Sequence, residues 1–408
     1  MTIFFMEIRH GISVERETQF LRQGSSELSL RGAGAVVASG TCTSGGKHGQ
    51  TSMRGRLEGL HGLRGLAALL VVLFHAQAIP RIELAPPFGT LIGHFFLSVL
   101  FFFVLSAFAL THSSEVSPTS LANYAVRRFF RIAPLFYAVM AWNLWRSGFP
   151  GWDVLLANLT FVFNFRPGLE QSLVWAGWSV GVEMAFYLIL PLLLWACVGW
   201  KSSAIVWVAA LVASVIIWSD FRSNPALPRD YAYFFVGSNL PSFVGGIVAC
   251  RIMSRLPATR GGGGVGTIAT VLMVVAFADP LYLQWRSPGI YFALWAAAFA
   301  AICLWQSLWP AAPLRSALMQ WLGDRSFSIY LLHPIILVLG EPAYGNLAAR
   351  LGAGGGASYL VCLVVSLPML FLCAELSYRL VETPGIALGR WIAKRLASSR
   401  ARRSIRSP

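Results

Sequence analysis

A cation and a titratable imidazole, Arg64 and His75, stand eleven positions apart in one strongly apolar segment, residues 60–75. Ionisable side chains are expensive at membrane depth, and those that occur there indicate function by default. In a helix, eleven residues rise about 16 Å along the axis and return to nearly the same face. The pair therefore predicts a site that a ligand enters from one side of a membrane and that acts near the other side.

Two further cations, Arg128 and Arg131, are spaced one helical turn apart at the start of another apolar segment. Two guanidinium forks on one helix face suit the phosphates of a nucleotide-like ligand. Arginines that flank a membrane span also serve as topology anchors or as contacts to lipid headgroups. Ligand binding by Arg128 and Arg131 is therefore a hypothesis beside this structural alternative.

Trp178 and Ser179 open an apolar segment that carries a carboxylate, Glu183, about a turn and a half inside it. Ser179 and Glu183 are spaced to share one helix face. A carboxylate beside a cavity could hold an imidazole in its correct tautomer or act as a base itself. Otherwise it is protonated or paired with a structural arginine. We favour function for Glu183, because acids inside a membrane are costly to keep.

Two polar clusters lie near the carboxy-terminal end. His333 directly precedes Pro334, and a histidine at a proline kink could contact substrate or satisfy the carbonyls that the kink frees. Glu375 and Arg379 are spaced for an intrahelical ion pair. That pair favours a role in closing the helix bundle at its cytoplasmic face.

Membrane-spanning helices must position these residues. The chain of 408 residues is 56% hydrophobic and only 12% charged, with a mean hydropathy of +0.63, which indicates an integral membrane protein. We predict an all-α bundle of about ten transmembrane helices, without a second folded domain. The predicted spans are 60–79, 93–112, 132–146, 178–198, 203–219, 231–250, 265–285, 290–309, 327–341 and 357–379.

The net charge of +15 predicts orientation rather than nucleic-acid binding, because the basic residues gather in short loops and at the chain ends. With both termini in the cytoplasm, every basic cluster falls on the cytoplasmic side, as expected in a cell inner or plasma membrane. This arrangement requires that residues 154–165 do not cross the membrane. We therefore expect a short re-entrant or interfacial segment there, which could cover the active site.

The sequence divides into three parts. Residues 1–52 are rich in Gly, Ser and Thr and predict a disordered extension, with Met53 as an alternative start of the chain. Residues 53–390 form the predicted membrane domain, and residues 391–408 a basic cytoplasmic tail. The six cysteines and seven histidines show no metal-binding or disulfide spacing, so we predict no metal site.

Five motifs in this order resemble the integral-membrane acyltransferase family 3. They are residues 59–75, 101–108, 127–135, Trp178-Ser with Glu183, and the Ser-Phe-Ser-Ile-Tyr-Leu-Leu-His stretch that ends at His333. The family's pattern of Arg and His separated by ten residues falls on Arg64 and His75. The resemblance covers about residues 54–390, and only about 30 largely basic residues follow the last predicted span. We therefore expect a stand-alone membrane domain without a fused esterase-like domain.

The resemblance implies transfer of an acyl group, usually acetyl from cytoplasmic acyl-coenzyme A, to a hydroxyl of a carbohydrate or lipid-linked glycan. The coenzyme is a co-substrate, and no permanently bound cofactor is expected. Arg128 and Arg131 would hold its phosphates, while Arg64 would guide its arm inward. His75 would act as general base, with Glu183 orienting it, and Trp178, Ser179 and His333 would contact substrate.

Other functions fit parts of the pattern. The family also implies lipids or secondary metabolites as possible acceptors. Met184 and Ala185 follow Glu183 where family members commonly have Glu and Gln, which leaves acceptor choice open. A transporter or flippase would also have about ten helices with central charges, but no internal repeat is evident. A purely structural membrane subunit leaves the polar motifs at membrane depth unexplained.

Overall fold

A computed structural model describes residues 47–113, 121–256, 262–278 and 287–406, and those residues form helices and loops without a β-strand. Shorter 3₁₀ segments occur at Phe95–Leu97, Phe163–Phe165 and Ala312–Arg315, and a π-helical turn at Tyr378–Glu382. The α-helices are α1 (Lys47–Ala78), α2 (Phe88–Gly93), α3 (Ser98–Ser113), α4 (Leu121–Ser147), α5 (Trp152–Leu159), α6 (Trp178–Ala196), α7 (Trp200–Ser223), α8 (Tyr231–Phe234), α9 (Val236–Met253), α10 (Gly262–Ala278), α11 (Pro288–Leu308), α12 (Ala317–Asp324), α13 (Ser326–Arg350), α14 (Gly355–Ser377) and α15 (Thr383–Arg406).

The all-α membrane fold predicted from the sequence is confirmed, but the count of ten spans is not. Within the described ranges, eight helical stretches are long and apolar enough to cross a bilayer. The predicted span 132–146 belongs to α4, which also carries the polar turn around Arg128 and Arg131. The predicted span 265–285 falls on α10, an apolar helix of 17 residues, and its last residues lie outside the described part of the chain.

The predicted short segment 154–165 is confirmed as non-spanning. Helix α5 has eight residues, and the 3₁₀ turn Phe163–Phe165 follows it. Eight helical residues cover about 12 Å, which is less than half of a bilayer core. The segment is fastened to the bundle by Asn164, whose side-chain amide donates hydrogen bonds to the carbonyls of Trp178 and Phe234, each at 3.0 Å.

Helices α3 and α9 form the centre of the bundle, and most of their residues are buried. Phe103 of α3, Phe243 of α9 and Phe186 of α6 stack in sequence, with ring centroids 4.6 Å and 3.9 Å apart. Helix α7 lies at the periphery and exposes large apolar side chains such as Ile205 and Ile216, as expected of a helix that faces lipid.

Helix α1 carries both Arg64 and His75, and a row of glycines sets its position. Gly59, Gly62 and Gly65 recur every three residues, so they line one face. A Cβ atom on Gly62 would lie 2.0 Å from the carbonyl oxygen of Leu314. Small residues allow such close backbone approach. At 100° per residue, Arg64 points about 200° away from Gly62, toward α3 and α4.

Two predicted boundaries concern the chain ends. Residues 1–46, which make up most of the predicted extension, lie outside the described residues, and α1 begins at Lys47. The predicted basic tail, 391–408, falls on α15, apart from its last two residues, which are also outside the description.

The glycine face gives a first testable prediction. Gly62→Ala should lower the thermal unfolding temperature of the detergent-purified protein, because overpacking a tight contact costs about 1–3 kcal/mol. Intrinsic tryptophan fluorescence during heating measures the effect. Gly345→Ala on α13 is the matched control, since a Cβ atom there meets open space. Equal unfolding temperatures for the two variants would contradict the proposed contact.

Candidate active site

Three arginines from two helices meet at one cavity. Arg64 of α1 and Arg128 and Arg131 of α4 line a cavity of about 150 Å³. The remaining lining residues come from α3 and α6 and are Ser106, Ala109, Leu110, Ser113 and Tyr187. The structure thus brings together the three cations that the sequence predicted as parts of one ligand path.

Positive charge in this cavity is only partly compensated. The Nε atom of Arg64 is buried and makes no hydrogen bond within the described residues. In the same part of the chain, neither Arg64 nor Arg131 forms an ion pair. Their charges act on each other, and Glu183 acts on Arg64 as a counter-charge beyond direct contact. Such an arrangement favours an anionic ligand.

The hydrogen bonds of Glu183 go to two residues that line this cavity, and those of His75 go to Val71 and His333, so a role of Glu183 in orienting that imidazole stays a prediction. The Oε1 atom of Glu183 accepts hydrogen bonds from the hydroxyls of Ser106 and Tyr187, each at 2.5 Å. Both hydroxyls line the arginine cavity. Glu183 lies about one turn of α6 beyond Ser179, whose hydroxyl contacts Tyr330 next to the histidine pair.

Sequence reasoning missed a second acid, Glu382, at the end of the π-helical turn. Its side chain is buried and accepts a short hydrogen bond from the hydroxyl of Ser328. Burial disfavours the charged form of this carboxyl group, and the nearby Arg131 and Arg64 offset that effect in part. The signal in the sequence was an acid shortly after an apolar span, which resembles an ordinary exposed helix end.

The predicted pair of Glu375 and Arg379 is confirmed as an ion pair within one helical turn. Arg325, which lies between α12 and α13, also contacts Glu375. Because this contact joins two helices, it supports the expected role in closing the bundle.

His75 lies in a second, separate part of the site, eleven residues along α1 from Arg64. Its Nδ1 atom is 2.9 Å from the carbonyl oxygen of Val71 and 3.2 Å from Nε2 of His333. His75 is partly exposed as a residue, whereas His333 is fully buried. His75 is therefore the member of the pair that a substrate could reach.

The imidazole of His333 contacts the backbone carbonyl that the proline kink leaves without a helical hydrogen-bond donor. Pro334 has no N–H group, so the carbonyl of Tyr330 lacks its helical donor. The Nδ1 atom of His333 lies 2.6 Å from that carbonyl oxygen. The structural alternative for this residue is thus observed, together with a direct contact to His75 that the sequence did not predict.

Ser179 and Trp178 lie beside the histidine pair. The hydroxyls of Ser179 and Tyr330 are 2.7 Å apart, which joins the start of α6 to α13. Trp178 packs against Tyr233 and Phe234, with ring centroids 4.6 Å and 5.4 Å away. These contacts give both residues structural partners, and contact of either with a substrate stays a prediction.

The described residues thus combine a cavity lined by three arginines with a separate pair of histidines. Across the described ranges, no group of three or more His, Cys, Asp and Glu side chains is arranged to hold a metal ion. An anionic carrier bound among the arginines could extend a reactive group along α1 to His75.

Comparison with known proteins decides the reaction class. A family model described as an acyltransferase domain matches residues 57–374. The chain belongs to the integral-membrane acyltransferase family 3. This membership favours an enzyme over the transporter and structural-subunit alternatives, and the protein is a multi-pass membrane acyltransferase, as the sequence predicted.

Two curated relatives illustrate the range of this family. The chain is 30% identical over 376 residues to the acyltransferase MdmB of Streptomyces mycarofaciens, covering 82% of this chain and 92% of that protein. It is 22% identical over 364 residues to the peptidoglycan O-acetyltransferase OatA of Listeria monocytogenes. That match covers 80% of this chain but only 55% of the Listeria protein. No solved structure matches the chain.

The link between Glu183 and Arg64 can be tested by stability. Glu183→Gln should lower the thermal unfolding temperature, because the arginine cavity loses its counter-charge. Adding Arg64→Gln should recover part of the loss, with a coupling of about 0.5–3 kcal/mol. Unfolding temperatures of the two single variants and the double variant measure this coupling, with the exposed Glu341→Gln as control. Strictly additive effects would exclude the link.

Proposed function

We propose that the protein transfers an acyl group, in the simplest case acetyl, from cytoplasmic acyl-coenzyme A to a hydroxyl of a cell-envelope or exported carbohydrate. The convergence of Arg64, Arg128 and Arg131 on one cavity carries this proposal. Coenzyme A presents a diphosphate and a ribose phosphate, and arginines bind such groups through paired hydrogen bonds.

The size of the cavity supports binding of the phosphate end alone. Sites for whole cofactors have volumes of about 300–1,000 Å³. The arginine cavity measures about 150 Å³, which suits phosphate groups but not an entire coenzyme. The pantetheine arm would then extend along α1 and bring its thioester toward His75.

His75 would act as the general base. It takes the proton of the acceptor hydroxyl while that oxygen attacks the thioester carbon, so a C–O bond forms and the C–S bond breaks. The same proton then passes from His75 to the leaving sulfur, which departs as a free thiol. The imidazole returns to its starting state, and no external reactant is needed.

The acceptor is inferred from a relative. The Listeria protein is named as a peptidoglycan O-acetyltransferase, which supports oxygen as the acylated atom and a glycan as the acceptor. The basic clusters of the chain favour the cytoplasmic side of a cell membrane for both termini. They also support a donor site that opens to the cytoplasm.

Donor binding gives the first test of this function. Arg128→Gln and Arg131→Gln should each weaken the binding of acetyl-coenzyme A by about 10- to 100-fold, the effect expected for loss of a hydrogen bond to a charged group. Calorimetric titration of the purified protein measures the affinity. Arg146→Gln is the matched control, because Arg146 is exposed at the other end of the same helix α4. Unchanged affinity in both cavity variants would refute the donor site.

Catalysis gives the second test. His75→Gln should slow the hydrolysis of acetyl-coenzyme A, in which water replaces the acceptor hydroxyl and acetate and free thiol are released, by about 10²- to 10⁴-fold, the usual contribution of a general base, and leave donor binding intact. His94→Gln is the control, because the described contacts of the His94 imidazole are with Thr90, Phe277 and Trp295. Normal thiol release by folded His75→Gln protein would rule out this residue as the base.

The acceptor is tested in cells that lack the protein. Wild type should restore an acetyl group on envelope glycans, as measured by mass spectrometry, and His75→Gln should not. An acetyl group restored on a lipid or on an exported metabolite would instead replace the carbohydrate in this proposal.

A further inference from the structure

Two histidines that are 258 positions apart in the sequence contact each other directly beside the acyl-transfer path. We propose that His333 is a positioning residue that holds His75 in the tautomer with its proton on Nδ1, so that Nε2 is the basic atom. This inference rests on the proposed function for its chemistry, but its geometry is independent of the donor.

The first step concerns the proton of His333. The carbonyl oxygen of Tyr330 can only accept a hydrogen bond, and it lies 2.6 Å from Nδ1 of His333. Pro334 supplies no competing N–H group to that carbonyl. In the neutral imidazole, the Nδ1 atom of His333 therefore carries the proton, and its Nε2 atom carries a lone pair.

The second step concerns the proton of His75. The lone pair on Nε2 of His333 lies 3.2 Å from Nδ1 of His75, and the carbonyl oxygen of Val71 lies 2.9 Å from the same atom. Two acceptors surround that nitrogen, so it must be the donor. The proton of neutral His75 thus resides on Nδ1, which leaves Nε2 available as the base.

The third step concerns the charged state during catalysis. When Nε2 of His75 takes the hydroxyl proton, Nδ1 keeps its hydrogen and both of its acceptors. The imidazolium is stabilised in place, without rearrangement of any neighbouring group. An aspartate holds the histidine in this way in serine proteases. A neutral imidazole has the advantage here that it adds no negative charge to a fully buried position.

The test begins with a direct observation of the tautomer. The full chain, labelled with ¹⁵N-histidine in lipid nanodiscs, is examined by NMR at mildly alkaline pH, and the signals of His75 are identified by their loss in His75→Gln. The proposal expects a protonated Nδ1 and a bare Nε2. A proton on Nε2 in the wild type would overturn it.

Two variants of His333 separate positioning from simple structural support. The amide of glutamine reaches the place of imidazole Nε2, and the amide of asparagine reaches that of Nδ1. His333→Gln can therefore keep an acceptor toward His75, whereas His333→Asn keeps only the link to the Tyr330 carbonyl. In His333→Asn the Val71 carbonyl is the remaining acceptor at Nδ1, so the proposal expects a mixture of the two His75 tautomers in place of one, and a kcat for thiol release lower by about 10-fold or more, part of the about 10²- to 10⁴-fold that a general base supplies.

His333→Gln should retain the tautomer and most of kcat, and neither variant should change KM for acetyl-coenzyme A. Equal tautomer signals and equal kcat values in both variants would overturn the positioning role. Failure of the wild type to bind or cleave acetyl-coenzyme A would refute the proposed donor alone, because the tautomer signals still decide the arrangement of the histidine pair.

Discussion

The central physical constraint is the presence of three guanidinium groups inside a helix bundle that water and salt reach poorly. Arg64 and Arg131 make no ion pair within the described residues, and Glu183 acts on Arg64 as a counter-charge only from a distance. The cations around the cavity outnumber the nearby carboxylates, which leaves a positive potential that a bound polyanion would neutralise. Glu183 is held by hydrogen bonds from the hydroxyls of Ser106 and Tyr187, and Glu382 by one from the hydroxyl of Ser328. These hydrogen bonds oppose movement of either acid into an ion pair with an arginine.

The arginine cavity and the histidine pair lie in different surroundings. The arginine cavity concentrates ionised groups, whereas the histidine pair is held by neutral acceptors, the backbone carbonyls of Val71 and Tyr330. Nearby arginines would destabilise the protonated form of an imidazole, whereas a nearby Glu183 carboxylate would stabilise that form. In the proposed mechanism, separation along α1 would allow anion binding at the arginines together with a neutral base at His75, a combination that a single compact cluster would not allow.

The sequence predicted those features that depend on local spacing. Arg64 and His75 were placed on one helix, and Arg128 and Arg131 on one face, because helical periodicity determines both. The partner of His75 was not predictable, since His333 lies on another helix and only bundle packing brings them together. For the same reason the sequence did not predict the contacts of Glu183 with Ser106 and Tyr187. The count of spans is not confirmed on α4, which carries arginines, and on the short α10, where hydropathy is equivocal.

Helix α1 holds Arg64 and His75 at a fixed separation. Arg64 and His75 belong to one uninterrupted helix, so the rise of about 16 Å between them is fixed by the peptide backbone and does not change when neighbouring helices shift. Any tilt or translation of α1 carries both groups together. Carriers whose anionic end and reactive carbon are separated by a different length would fail to engage both groups at once. Under the proposed function, donors would thus be selected by their length as well as by their charge.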